Sequence, residues 1–223
     1  MHEGSTTVLT LSRQLGSGGA FIGQNVARRI GMRYVDREIL QRAATESGLA
    51  EGDIEAADER AAGFWHAVSH LLTSGAAEAP YAAPAISATY EEGVFQLEQR
   101  IIREIAERFD SVIVGRAGFH VLAEHAGAIH VMVHARKEWR VARVAEVFRV
   151  ADMRTAQEMV EHSDRQRARF VRAVTGKHWT DALAFDLCID TSTTGLDTAT
   201  DLVVALVSSR KARTRSAGNK PAG

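Results

Sequence analysis

The residues best suited to chemistry stand in a glycine-rich turn near the start of the chain. An apolar, β-prone stretch at residues 8–11 leads through three glycines into a helical pattern at residues 21–30. Glycines let a backbone approach an anion closely, and the N–H groups and dipole of a helix N-terminus attract negative charge. The turn therefore predicts a phosphate-binding site made of Gly16, Ser17, Gly18, Gly19 and Ala20.

This turn departs from the regular P-loop pattern, G-x-x-x-x-G-K-[ST]. With Gly18 as the second glycine of that pattern, Arg13 stands at the first glycine, Gly19 at the lysine and Ala20 at the serine or threonine. Arg13 is then the nearest cation able to replace the lysine, because a guanidinium group can bind phosphate bidentately. A tight turn whose glycines bind nothing is the alternative.

Charged residues also follow two further predicted strands. Asp36 and Arg37 come after the strand at residues 32–35, and Arg116 ends the apolar run at residues 111–116. Open parallel sheets bind ligands at the carboxyl ends of their strands, so these three residues are site candidates. The alternatives are a helix N-cap for Asp36 and an ion pair with a neighbouring acid for Arg116.

Two predicted helices in the second half of the chain carry dense positive charge. Such a run usually forms a solvated face, but its position downstream of a phosphate turn favours anion binding. The candidates are Arg140 and Arg143 in the helix at residues 136–149, and Asp164, Arg165 and Arg169 in the helix at residues 155–174.

Composition restricts the class of protein. The 223 residues are 45% hydrophobic and carry a net charge of −1, which is ordinary for a globular chain and argues against nucleic acid as a partner. No apolar stretch reaches the ~18 residues of a membrane span, so no membrane partner is expected. The single cysteine, Cys188, fits a reducing cytoplasm and, in its apolar run, predicts a buried structural thiol.

Strands alternate with helices along the chain. This order predicts an α/β fold with an open, mostly parallel five-stranded sheet and helices on both faces. Residues 1–209 are expected to form one domain, and the basic residues 210–223 a disordered tail.

The motifs, taken in order, resemble the cytidylate kinase-like family, a branch of the P-loop nucleoside monophosphate kinases. The likeness covers about residues 8–206, apart from residues 63–88. The matching segments are SRQLGSGG at 12–19, YVDREIL at 34–40, VIVGR at 112–116, EWRVARV at 138–144, DRQRA at 164–168 and TGKHW at 175–179, followed by FDL at 185–187.

The resemblance implies an activity and a set of roles. The activity is transfer of the γ-phosphoryl group of ATP, with Mg²⁺, to a small nucleotide such as CMP or dCMP. It also implies a helical or mobile insertion at about residues 49–90 on the acceptor side and a lid at about residues 150–180. Gly16–Gly19 would hold the donor phosphates; Asp36, Arg37 and Arg116 the acceptor; and Asp164, Arg165 and Arg169 would form the lid, supported by Arg140 and Arg143.

Three functions remain open at the level of sequence. The loop lacks the lysine and hydroxyl of the regular P-loop, and Val114 stands where cytidylate kinases proper have an acid before Gly-Arg. A catalytically silent nucleotide-binding module is therefore the alternative to an active kinase. A dinucleotide-dependent oxidoreductase is also considered, since Asp36 follows Gly16 at a spacing suited to ribose binding. That pattern, however, needs a glycine where Phe21 stands.

Overall fold

The computed structural model describes residues 6–36 and 88–218, and a parallel sheet forms its centre. Its five strands are β1 (Val8–Arg13), β2 (Arg33–Val35), β3 (Ser111–Val114), β4 (Ala128–His134) and β5 (Leu187–Asp190). They lie in the order β2-β3-β1-β4-β5, and all their described pairings are parallel. The predicted five-stranded α/β sheet is confirmed.

Helices connect the strands within the described residues. A short 3₁₀ turn, Ala182–Ala184, precedes β5. The helices are α1 (Gly19–Ile30), α2 (Ala88–Arg108), α3 (Gly118–Val121), α4 (Lys137–Val147), α5 (Met153–Thr175), α6 (Thr191–Thr194) and α7 (Leu196–Gly218).

The two faces of the sheet are both covered by helices. A Cβ atom added to Gly118 of α3 would lie 3.4 Å from Thr10, whereas one added to Gly23 of α1 would lie 3.1 Å from Val114. The Gly118 position also contacts Ile113, the neighbour of Val114 in β3. Because successive strand residues point to opposite faces, α1 and α3 lie on opposite sides of the sheet. Side chains of β1, β3 and β4 fill the core between them.

The predicted disordered tail at residues 210–223 is wrong over its described part. Helix α7 continues to Gly218. The Lys211 Nζ atom lies 2.7 Å from Asp110 Oδ2, and an Arg210 Nη atom donates to the Ala126 carbonyl at 3.3 Å. These contacts attach the basic residues to the amino end of the sheet, through partners too distant in sequence to be foreseen.

The predicted burial of Cys188 is wrong, and two other predictions concern residues that the structure does not describe. Cys188 is exposed rather than buried, because β5 is the edge strand of the sheet. Arg37 and residues 49–87 of the predicted insertion lie outside the described residues.

Candidate functional site

The glycine turn joins β1 to α1 at the carboxyl edge of the sheet. Gly18 is the N-cap of α1, with φ 80° and ψ 14°, a left-handed conformation that glycine adopts without steric cost. Gly18 has no side chain to cap the helix, so the N–H groups of its first turn face the loop. Gly16 has φ 80° as well, and a Cβ there would lie 2.6 Å from the Arg140 carbonyl oxygen. The turn thus needs both glycines, and it places the N–H groups of a helix N-terminus, the donors that an anion requires, directly after β1.

Ser17 supports this turn from the sheet side. It is fully buried, and its hydroxyl group donates to the Gln14 carbonyl at 2.8 Å and the Val133 carbonyl at 3.1 Å. Its N–H group also donates to Gln14, at 3.2 Å. Both donors of Ser17 are therefore used inside the protein, so the residue shapes the loop instead of presenting a hydroxyl to a phosphate or metal.

A threonine after β5 holds the turn from the opposite side, and sequence analysis missed it. The buried Thr191 hydroxyl lies 2.9 Å from the Ser17 carbonyl oxygen, to which it donates. Asp190 caps the short helix α6 by accepting from the Ser192 N–H group at 3.0 Å. Hydrogen bonds, above all that from the Ser192 hydroxyl, hold the pKa of Asp190 below its usual value. The segment after β5 thus supports the glycine turn.

Arg140 and Asp164 form a second support for the turn. The Arg140 side chain is buried, and its Nε atom donates to the Ala135 carbonyl at 3.1 Å. Its Nη1 atom is 3.4 Å from the Leu15 carbonyl oxygen and 3.0 Å from an Asp164 carboxylate oxygen. The predicted supporting residue therefore ties α4, the glycine turn and α5 together. Arg143 lies with its guanidinium 6.0 Å from the Trp139 ring.

A cleft opens beside the turn, between the ends of β1 and β3 and helix α5. Three arginines, Arg13, Arg116 and Arg167, line it together with aromatic rings. The remaining lining residues are Ser12, Gly115, Ala117, Phe119, Phe170, Val171 and Trp179.

Arg116 enters this cleft from an unusual turn. Gly115, Arg116 and Ala117 have φ angles of 84°, 51° and 52°, so three successive residues are left-handed. The Arg116 Nε atom donates to a Glu98 carboxylate oxygen at 2.6 Å, and its guanidinium lies 4.3 Å from the Phe170 ring centre. The ion pair that sequence analysis kept as an alternative is present, and the Glu98 carboxylate balances the Arg116 charge.

Helix α5 presents a different arginine to the cleft from those predicted. Arg167 lines the cleft, is 9% exposed, and donates to the Ser163 hydroxyl at 2.6 Å. Arg165 and Arg169 are exposed, and Arg165 lies 3.8 Å from Glu161. Helical spacing from the buried Val160 was the signal that could have identified Arg167.

Asp36 directly follows β2, the strand next to β3, and is half-buried. It therefore lies at the same carboxyl edge as the cleft. Its predicted neighbour Arg37 is outside the described residues.

The described residues lack the side chains that would hold the Mg²⁺ ion implied by a kinase. Ala20 offers no oxygen at the position of the P-loop hydroxyl, and the Ser17 hydroxyl is engaged internally. Among residues 6–36 and 88–218, no three His, Cys, Asp or Glu side chains group as metal ligands. These residues do not fit a Mg²⁺ ion held by protein side chains. Within the same ranges, no helix is long and apolar enough to cross a membrane.

Comparisons with known proteins agree with this geometry. The model of the cytidylate kinase-like family matches residues 8–193, which include the turn, the cleft and α5. An uncharacterized protein from Eubacterium ventriosum has a similar fold, with a TM-score of 0.67 at 20% identity over 92% of this chain and 99% of its own. No curated protein matches the chain significantly.

Two shikimate kinase structures are also similar at lower scores. The enzyme from Acinetobacter baumannii, in complex with shikimate, has a TM-score of 0.49 at 13% identity, covering 93% of this chain and 96% of its own. The enzyme from Bacteroides thetaiotaomicron has a TM-score of 0.48 at 14% identity, covering 91% and 98%.

Proposed function

Because this chain belongs to the cytidylate kinase-like family, we propose that it is an ATP-dependent kinase acting on a nucleoside monophosphate such as CMP or dCMP. One observation carries the proposal: the N-terminus of α1, without a side-chain cap, and an arginine-lined cleft both lie at the carboxyl end of β1. In the strand order, the connection that leaves β1 runs towards β2, whereas those that leave its neighbours β3 and β4 run the opposite way, and open α/β sheets bind ligands at such a point.

The donor side of the reaction is assigned to the turn. The N–H groups of Gly19, Ala20 and Phe21, in the first turn of α1, would bind phosphate oxygens of ATP, aided by the helix dipole. Gly16 and Gly18 would keep the backbone accessible to those oxygens. The Mg²⁺ ion would arrive with the nucleotide phosphates, since the described side chains do not form a site for it.

The acceptor side is assigned to the cleft. An oxygen of the acceptor phosphate forms the new bond to the γ-phosphorus, while the bond from that phosphorus to the leaving ADP oxygen breaks. Catalysis of this step is mostly positioning and charge stabilisation, for which cations are suited. Arg116 and Arg167 would orient the acceptor phosphate, and the Phe119 and Trp179 rings offer apolar surface to its base. Asp36 would contact the acceptor from β2.

A catalytically silent nucleotide-binding module is the second candidate. Specific observations favour it: Gly19 and Ala20 replace the lysine and hydroxyl of the P-loop, and Arg165 and Arg169 are exposed. Their lid roles, with that of Asp164, stay predictions. The silent module would bind ATP without transferring its phosphoryl group.

The first prediction concerns ATP binding and transfer. Incubation with labelled ATP, Mg²⁺ and a panel of nucleoside monophosphates should yield a labelled diphosphate, with CMP or dCMP preferred. The variant Gly18→Asp should lose ATP affinity in calorimetry by about tenfold or more, because it places a negative charge where an anion should bind and a Cβ atom 2.3 Å from the Leu196 side chain.

The control variant is Gly31→Asp, at the other end of α1. Gly31 also has a positive φ, 66°, and an added Cβ there would meet no atom within 4 Å. ATP binding without transfer to any acceptor would reject the kinase in favour of the silent module. Equal ATP affinity in both variants would reject the proposed donor site.

A further inference from the structure

The side chain of Arg13 runs from the glycine turn to the end of β3, and two glycines border its path. A Cβ added to Gly19 would lie 2.4 Å from Arg13 Cβ and 2.8 Å from Arg13 Cγ. A Cβ added to Gly115 would lie 1.9 Å from Arg13 Nη1 and 3.1 Å from Arg13 Cζ. The stem of Arg13 therefore lies against Gly19 and its guanidinium group against Gly115, on the wall of the cleft.

These distances make side chains at positions 13 and 19 mutually exclusive. Real Cβ atoms do not approach to 2.4 Å, and both atoms are fixed by the backbone of β1 and of α1, so neither can rotate away. The regular P-loop has glycine at the position of Arg13 and lysine at the position of Gly19. In this chain the charged residue, Arg13, stands at the glycine position of the P-loop, and the glycine, Gly19, stands at the lysine position.

We propose that Arg13 and Gly19 are a reciprocal exchange for the glycine and lysine of the P-loop. Arg13 supplies the loop cation from the end of β1, where a lysine would supply it from α1. Its planar fork suits the terminal phosphates of a nucleoside triphosphate. The stem of Arg13 borders the donor turn at Gly19, and its guanidinium group borders the acceptor cleft at Gly115. This inference rests on the proposed ATP-binding function.

The exchange is tested with four proteins: the wild type, Arg13→Gly, Gly19→Lys and the double variant Arg13→Gly/Gly19→Lys. Arg13→Gly should weaken ATP binding by about tenfold or more, since a charged hydrogen-bond donor is lost. AMP binding should change little, because AMP lacks the β- and γ-phosphates. Gly19→Lys alone should fail to bind or to fold, whereas the double variant should recover ATP affinity above that of Arg13→Gly.

A double-mutant cycle on thermal stability tests, without any ligand, whether side chains at positions 13 and 19 exclude each other. Gly19→Ala should lower the Tm by several degrees in the wild type, because the added methyl group overpacks the space that Arg13 fills, and by much less in the Arg13→Gly background. Arg29→Ala, at the far end of α1 and paired with Asp201, is the matched arginine control and should leave ATP affinity unchanged.

The outcomes separate this inference from the proposed function. Absence of ATP binding by the wild type would reject the proposed function. ATP binding that is equal in the wild type and Arg13→Gly would reject the role of Arg13 alone. If the Tm changes of Gly19→Ala and Arg13→Gly are additive, the two side chains do not exclude each other, and the proposed exchange is rejected.

Discussion

At the scale of single residues, the Arg116 side chain is held by an ion pair with Glu98, a partner that no local sequence pattern indicates. Its side chain is 10% exposed and that of Glu98 is 3% exposed, so the pair is almost removed from water. Two non-glycine residues of the same turn, Arg116 and Ala117, have left-handed backbones, each costing about 1–2 kcal/mol. The ion pair and the contact with Phe170 therefore stabilise a strained turn at the edge of the cleft.

The second prediction follows from this burial. Glu98→Gln keeps the size of the side chain but leaves the Arg116 cation without its counter-charge. Loss of one partner of a buried pair costs about 3–5 kcal/mol, and urea unfolding should show a decrease of that order. The control is Glu158→Gln, whose partner Arg154 is 86% exposed, and which should cost less than about 1 kcal/mol. Equal losses in the two variants would contradict the structural role of the pair.

Arg116 and Arg13 also mark how far sequence reasoning reaches at this scale. The position of Arg116 after a buried strand predicted a site residue, and alignment with the P-loop predicted Arg13 as the substitute cation, a role that stays a prediction. The partner of Arg116 and the path of Arg13 depend on side-chain packing between segments about 20 and 100 residues apart. Sequence spacing carries no information on such contacts.

At the scale of elements, helix α5 was predicted at nearly its observed length, and the arginine that lines the cleft lies on a different face from the predicted lid residues Arg165 and Arg169. Val160, Ser163, Arg167 and Val171 are buried and recur at helical spacing. Its first half packs with Leu15 and α4, and its second half joins the main core. The charged face that sequence analysis favoured is mostly the solvated one, and the single arginine on the buried face lines the cleft.

The third prediction compares the two faces of α5. In an active kinase, Arg167→Ala should lower turnover by about 10²-fold, as expected for loss of one preorganised charge, with a smaller change in ATP affinity. Arg169→Ala should have a smaller effect, because its side chain is exposed in the described fold. Ser163→Ala removes only the hydroxyl that Arg167 contacts and controls for packing. A larger loss in Arg169→Ala would instead support the predicted lid face.

At the scale of the whole molecule, the alternation of strands and helices was sufficient to predict the parallel sheet and its covered faces. Periodicity could not indicate that α7 extends to Gly218 or that β5 lies at an edge and exposes Cys188. Strand order is a property of the assembled sheet, and the anchoring of α7 depends on Asp110, a residue in a distant loop.

The sheet also carries a half-buried histidine, His130, from which we expect a pH dependence of stability. His130 of β4 lies beside Thr10 of β1, and its Nδ1 atom is 2.7 Å from the Thr10 hydroxyl oxygen. Burial lowers the pKa of His130 from its ordinary value of 6.5, assisted by His125 and Lys177 and opposed by Asp186. Burial likewise lowers the pKa of His120, with Lys177 and Arg103 acting in the same direction.

The last prediction is the sign and window of this dependence. A histidine whose pKa is lowered in the fold binds protons more readily when unfolded, so stability is full above about pH 6.5 and falls as the pH drops below it. The pKa values of Asp152 and Asp190 are lowered from 3.8, so their contributions are lost only in more acidic solution. Urea unfolding at several pH values should therefore show a loss between pH 7 and pH 5.

That loss should be smaller in His130→Gln and unchanged in the control His162→Gln, since His162 is exposed on α5. Gln at position 130 keeps a hydrogen-bonding group near Thr10 but cannot take up a proton in this range. His120 would account for the slope that remains, and His120→Gln/His130→Gln should be flatter than either single variant. If His130→Gln has the same pH dependence as the wild type, protonation of His130 is not the cause of the loss of stability at low pH.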